Sequence, residues 1–327
     1  MQTINANLLK IYRSLYLPPA KVLSNYSITA DRTIKKNGDV LYLEFWAYNI
    51  YRITDYFIFP VRMQCDFECF NSPYVKWLKI LKQDFMQSIN TKSRDVIMKM
   101  QKEQNCSLLH FNRVILLYQE LFGDRKDIKS LDSSAGWGDR LIAAILFGCS
   151  EYVAYDPNKK LIPGHKEIIE YFIHNNLYGY YSPNECNTVI TPKIWYTNFE
   201  KSYSHEYEYL NHFDICISSP PFFQKEIYSY NKGQSTLSYP NVSAWLINFL
   251  IPSFIKVLTF LKPGGYLCWY IEDMRNCTFV PTFLAKISHL TICKRVNNIG
   301  FNYKSTTAEQ THRYNTQERY FYVWQKL

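Results

Sequence analysis

Four consecutive residues, Ser219-Pro220-Pro221-Phe222, put a hydroxyl, two prolines and an aromatic ring side by side. They follow a strand-like apolar run, Phe213-Asp214-Ile215-Cys216-Ile217-Ser218. Neither proline has a backbone donor, so the pair cannot continue a sheet. Each proline also drives the residue before it into extended geometry. The stretch is therefore a stiff exit from a strand. It holds the Ser219 side chain, a main-chain carbonyl of Ser219 or Pro220 and the Phe222 ring close together. Two acceptors and a flat face suit a planar group that carries an NH2. A proline-punctuated loop without chemistry would carry the same four residues, so the surrounding chain has to decide.

A second stretch, Leu131-Asp132-Ser133-Ser134-Ala135-Gly136-Trp137-Gly138-Asp139-Arg140-Leu141, joins an expected strand to an expected helix. Gly136 and Gly138 permit a tight turn and close approach of a ligand to the backbone, and the helix start offers unpaired N–H groups. The third glycine of the dinucleotide fingerprint is replaced by Leu141, and no Lys-Ser/Thr pair makes a P-loop, so a dinucleotide or nucleoside triphosphate is disfavoured. Asp156 ends the next expected strand, about 20 residues past the glycines, where a carboxylate can bind both hydroxyls of a ribose. The same residue could instead be a helix cap. Asn198-Phe199-Glu200 follows a strand ending near Tyr196.

In this order and spacing the stretches resemble the S-adenosylmethionine-dependent amino-methyltransferases, which carry an Asp/Asn/Ser-Pro-Pro-Tyr/Phe motif. The Ser-Ala-Gly-Trp-Gly-Asp-Arg version looks most like phage and large-virus members. The resemblance spans about residues 106–275 and extends toward the end. It implies S-adenosylmethionine as cofactor, with Asp132 as the acid at the strand end and Ser134, Ala135, Gly136 and Gly138 in the cofactor loop. It puts Asp156 on the ribose and Phe199 against the adenine. The amine clamp would be Ser219, Pro220, Pro221 and Phe222. The implied acceptor is an exocyclic amine of a nucleic-acid base, DNA adenine (N6) or cytosine (N4) ahead of RNA adenosine. Serine at the first motif position is more usual with cytosine, which leaves the base open. A ring-carbon methyltransferase would need a Cys nucleophile, which the motif lacks. From a different class, a catalytically silent binding subunit would keep the same fold. Downstream, Glu226-Ile227-Tyr228, Lys232-Gly233-Gln234-Ser235, Tyr239-Pro240, Trp245 and Phe249 suggest a loop over the target pocket, and Lys262-Pro263-Gly264-Gly265 resembles the family's turn into its next strand.

The elements needed to position these residues can be read from periodicity. Helices are expected at 74–86, 93–104, 111–122, 139–147, 166–175 and 244–261. Strands are expected at 41–48, 56–63, 128–131, 152–155, 188–196, 213–217, 266–271, 290–296 and 319–325. Alternating strands and helices predict an α/β fold with a doubly wound, Rossmann-like sheet, mostly parallel with an antiparallel last strand. Residues 1–105 carry no readable motif and are expected to be an accessory α+β region, a substrate-recognition platform. Residues 106–327 form the expected methyltransferase domain. Tyr303, Lys304, His312, Arg313, Tyr314 and Arg319 are candidates for nucleic-acid contact.

Bulk properties fit. The chain has 327 residues, 47% of them hydrophobic, enough for a full core. A formal net charge of +9 favours a polyanionic partner. Nine scattered Cys lack metal-site spacing and are expected to be reduced, with no metal. The start of the chain lacks a signal pattern, and no apolar run of about 18 residues is evident. A cytoplasmic or nuclear protein is expected, including a viral or phage protein acting in a host cell.

Overall fold

The computed structural model describes residues 2–36, 39–46, 52–67, 95, 97–101, 108–123, 125, 127–181, 190, 192–203, 207–228, 233–274, 277–304 and 320–327. The strands are β1 (Arg32–Lys36), β2 (Val40–Trp46), β3 (Asp66–Phe67), β4 (Lys129–Asp132), β5 (Glu151–Tyr155) and β6 (Lys193–Trp195). They continue with β7 (Phe213–Ser218), β8 (Glu226–Ile227), β9 (Leu261–Trp269), β10 (Cys293–Arg295), β11 (Asn298–Lys304) and β12 (Tyr320–Lys326).

The main sheet runs β1-β2-β11-β12-β9-β7-β4-β5-β6, with β10 paired to β12. Strands β6, β5, β4, β7 and β9 are parallel neighbours, and β12 is inserted antiparallel between β9 and β11. This is the expected α/β architecture, mostly parallel with an antiparallel end. Side chains alternate across the sheet: Ile215 and Ile217 of β7 join one core layer, and Cys216 joins the other. Helices Phe111–Phe122, Asp139–Phe147 and Ile162–His174 cover the first face.

The second face is covered by one continuous helix, Val242–Phe260, with a π-helical stretch at Leu246–Leu250. By length and composition it is apolar enough to cross a membrane, which the reading of apolar runs overlooked. Trp245, Leu250, Phe254, Val257 and Leu258 are buried against the sheet, as in a core helix.

The N-terminal part shares this framework. Strand β2 pairs in parallel with β11, extending the sheet by the β1–β2 hairpin. Helix Gln2–Leu15 packs on helix Arg52–Arg62, and Arg62 grips Asp55 through Nε at 2.6 Å and an Nη at 2.5 Å. The short strand β3 pairs antiparallel with β8, just past the double proline.

Several expectations are corrected. Of the residues expected as a strand at 56–63, all but Met63 belong to a helix, Arg52–Arg62, with Pro60 in its last turn. Between the strands expected at 290–296 and 319–325 lies a further strand, β11, whose Ile299 and Phe301 are buried at alternating positions. Tyr303 and Lys304 lie on that strand, and His312, Arg313, Tyr314 and Arg319 lie outside the described residues. So does the expected helix 74–86, whereas 97–101 is helical. Cys65 is disulfide-bonded rather than reduced, whereas Cys149, Cys216, Cys268, Cys277 and Cys293 are free.

Candidate active site

Parallel strands point their C-terminal ends to one side of a sheet, and ligands of such sheets sit in the crevice there. The ends of β4, β5, β6 and β7 open on a cavity of about 300 Å³. Ser134, Gly136, Asp156 and Phe199 line it, and so do Ser219, Pro221 and Phe222. Residues read separately along the chain thus meet around one space. Asp132, Ala135, Gly138 and Pro220 do not line it.

Asp132 faces inward instead. Its side chain has no exposure and forms an ion pair with Arg140 Nε at 2.6 Å. It also accepts from the Ser134 N–H (3.1 Å), Tyr152 hydroxyl (2.9 Å) and Ser218 hydroxyl (2.8 Å). The other arm of Arg140 donates to the Ser134 carbonyl. Buried charges are retained when paired and hydrogen-bonded in this way. Asp132 therefore fixes the shape of the glycine loop and ties it to β7.

Gly138 has φ +99°, left-handed geometry that favours glycine, and a Cβ there would meet Ile168 Cδ1 at 2.7 Å. His165 supports the same loop: its Nε2 lies 2.9 Å from the Gly136 carbonyl and its Nδ1 3.1 Å from the Tyr196 hydroxyl. Burial pushes the His165 pKa down to about 4, so the ring is neutral at neutral pH. A carbonyl only accepts, so Nε2 carries the proton and Nδ1 accepts from Tyr196.

Asp156 accepts from the Gly136 N–H and the Asn158 N–H, each at 2.8 Å. Burial raises its carboxyl to about 6, against the opposing pull of those two N–H groups. Phe199 stands edge-on to Tyr155 with ring centroids 5.0 Å apart. Behind it, the buried Lys256 ammonium lies 5.2 Å from the Phe199 ring centroid and donates to the Ser202 carbonyl at 2.6 Å.

At the other wall, Phe222 is 7% exposed and its ring lies 5.9 Å from that of Tyr270. The Lys225 ammonium sits 5.2 Å from the Phe222 ring centroid and pairs with Glu272 at 3.3 Å. Phe223 then turns with φ +48°, sending the chain sharply toward β8. Tyr228, Gly233, Gln234 and Ser235, which follow β8, also line the cavity. Tyr228 packs edge-on against Trp137 at 5.7 Å, and the Gly233 carbonyl accepts from Asn198 Nδ2 at 3.0 Å. A Cβ on Gly233 would collide with Pro157. The segment expected over the target pocket thus also touches the β5 and β6 loops.

Sequence reading missed Ser133, Asn158 and Glu200. Each lines the cavity, is at most 7% exposed, and has a buried polar atom without a partner: Ser133 Oγ, Asn158 Nδ2 and Glu200 Oε2. Burial raises the Glu200 carboxyl above its ordinary value. Buried polar atoms are normally paired, so these three are consistent with a polar ligand in the cavity. Their only signal in the sequence is adjacency to Asp132, Asp156 and Phe199. Among the described residues, no cluster of three or more His, Cys, Asp or Glu could hold a metal ion.

No protein-family model and no curated protein matches the chain. Solved structures of similar fold include an rRNA methylase from Streptococcus thermophilus, 12% identical with a TM-score of 0.38, covering 68% of this chain and 99% of that one. TrmN from Thermus thermophilus is 14% identical with a TM-score of 0.38, covering 64% of this chain and 47% of that one. A SAM-dependent O-methyltransferase from Thermotoga maritima is 10% identical with a TM-score of 0.43, covering 70% of each chain.

Proposed function

We propose that this chain transfers a methyl group from S-adenosylmethionine to an exocyclic amine of a nucleic-acid base, with DNA adenine (N6) or cytosine (N4) as the first candidates. One observation carries the proposal: a glycine loop, an acid at the next strand end and Ser219, Pro221 and Phe222 of the double-proline motif border a single cavity. The residues fit the cofactor. Asp156 offers acceptors for ribose hydroxyls, Phe199 a face for adenine, and Ser133, Asn158 and Glu200 polar atoms that need partners.

The cofactor would supply a methyl group already activated on a sulfonium. The chain's task is then to present the amine. A ring-bound NH2 is a poor nucleophile because its lone pair is delocalised into the ring. Hydrogen bonds from its two hydrogens to Ser219 Oγ and the Pro220 carbonyl would localise that lone pair. Stacking on Phe222 is worth roughly 1–3 kcal/mol for a base, and in-line positioning supplies the rest. The new N–C bond forms as the S–C bond breaks, and the amine loses its proton to water afterwards. No general base is required. A base in a duplex would have to be flipped out, at a few kcal/mol. The net charge of +9 suits a polyanionic partner.

Transfer of tritiated methyl from S-adenosylmethionine to DNA, RNA and protein, followed by digestion to nucleosides, tests this. Label in DNA as N6-methyladenine or N4-methylcytosine is the expected result. Label confined to RNA adenosine would move the assignment to a messenger or cap-adjacent enzyme. Binding of S-adenosylhomocysteine without transfer to any acceptor would leave a silent binding subunit. Failure to bind it would overturn the reading.

A further inference from the structure

Asp139 is the first residue of the helix after the glycine loop, and it lines the cavity while being 3% exposed. Its carboxylate accepts one side-chain hydrogen bond, from the Thr54 hydroxyl at 2.7 Å. Thr54 belongs to helix Arg52–Arg62, in the N-terminal part that carries no sequence motif. The nearby cations serve other acids. Arg140 is engaged with Asp132 and Arg62 with Asp55. Among the described residues Asp139 is therefore a buried carboxylate that forms no ion pair. Burial raises its carboxyl to about 7, with Arg140 and Arg62 opposing that rise and Asp55 adding to it.

A buried carboxylate at a cavity wall is stabilised by a cation from the ligand. Two further groups border the same cavity. Ser133 Oγ is buried, lacks a partner and belongs to a residue on the cavity wall. The first N–H groups of the helix have no carbonyl partner within it, and they favour an anion. An acceptor for a cation beside donors for an anion is the complement of an amino-acid zwitterion. A metal ion fits less well, because no second acid, His or Cys completes a cluster among the described residues.

We propose that Asp139 binds the α-ammonium of the cofactor's amino-acid end, and that Thr54 is a positioning residue that aims the Asp139 carboxylate. This rests on the S-adenosylmethionine reading and gives the N-terminal part a share in cofactor affinity.

Two ligands separate the parts. S-adenosylhomocysteine carries the amino acid, whereas 5′-methylthioadenosine keeps the adenine, ribose and sulfur but lacks it. Calorimetry on the full chain is expected to show both binding to the native protein. Asp139→Asn should weaken S-adenosylhomocysteine about 10- to 100-fold, the range for a hydrogen bond to a charged group, with 5′-methylthioadenosine unchanged. Thr54→Val should give a smaller loss for S-adenosylhomocysteine alone, and Thr54→Ser should restore it. If Asp139→Asn does not fold, the Thr54 pair decides. Equal weakening of both ligands, or no weakening of either, in the Asp139 and Thr54 variants would overturn the proposal while leaving the cofactor reading intact. A native chain that binds neither ligand would overturn both.

Discussion

Ser218 donates its hydroxyl to Asp132 at 2.8 Å, so the residue before Ser219 is fastened to the acid beneath the glycine loop. Both groups are fully buried. The proposed cofactor end and amine end are thus joined by one side-chain bond across β4 and β7. Ser218→Ala should cost about 1–3 kcal/mol of stability, as expected when a buried acceptor loses a donor. Turnover should fall more than affinity for S-adenosylhomocysteine. Thermal unfolding and kinetics on one preparation check this, and an unchanged melting temperature would show that the bond contributes nothing.

Ser219→Ala and Phe222→Ala remove one acceptor and the stacking face. Both should spare S-adenosylhomocysteine binding and lower turnover at least ~10²-fold through lost positioning. Native turnover in both variants would sink the roles given to these residues.

Asp156 has a carboxyl raised to about 6 by burial. Below that pH it is protonated and offers fewer acceptors to ribose hydroxyls. Affinity for 5′-methylthioadenosine should therefore climb as pH rises through about 6 and level off above it. In Asp156→Asn the ligand should bind more weakly and the pH dependence should flatten. Calorimetry between pH 5 and about 8, a window set by that carboxyl, reads both effects, and native-like affinity in the variant would remove Asp156 from the site.

Lys256 holds the Ser202 carbonyl at 2.6 Å and the Ser202 hydroxyl at 3.3 Å, beneath the Phe199 ring. Lys256→Met keeps much of the buried stem but leaves that carbonyl without its donor. A loss of about 1–3 kcal/mol is expected, with weaker S-adenosylhomocysteine binding as the Phe199 loop loosens. A variant with native melting temperature and native affinity would refute this.

The central helices and strands were legible because their apolar positions repeat cleanly: Asp139–Phe147 is flanked by Gly138 and Gly148, and β7 by its own apolar run. The segment Tyr56-Phe57-Ile58-Phe59-Pro60-Val61 is different. Its aromatic and β-branched residues favour a strand, yet tertiary contacts make it helical. Phe57 and Ile58 pack into the shared core and Phe59 into the N-terminal one, which overrides local propensity. The cavity residues were legible where a glycine, proline or strand-end acid marked them. The inward aim of Asp132 was not, because it depends on Arg140, Tyr152 and Ser218 converging from three other elements. The Thr54–Asp139 bond was equally hidden, since it joins residues 85 positions apart.

Strand β2 pairs in parallel with β11, with Val40 opposite Asn298. During synthesis the hairpin therefore emerges roughly 260 residues before its partner. At ribosomal rates of about 5–20 residues per second, that is a wait of roughly 10–50 s. Throughout it the hairpin has an unpaired edge, the kind that invites pairing with other chains. Such long-range closure also slows folding. The nascent chain is thus exposed to aggregation until its last strands leave the ribosome, and crowded polysomes or scarce chaperones should lower its yield.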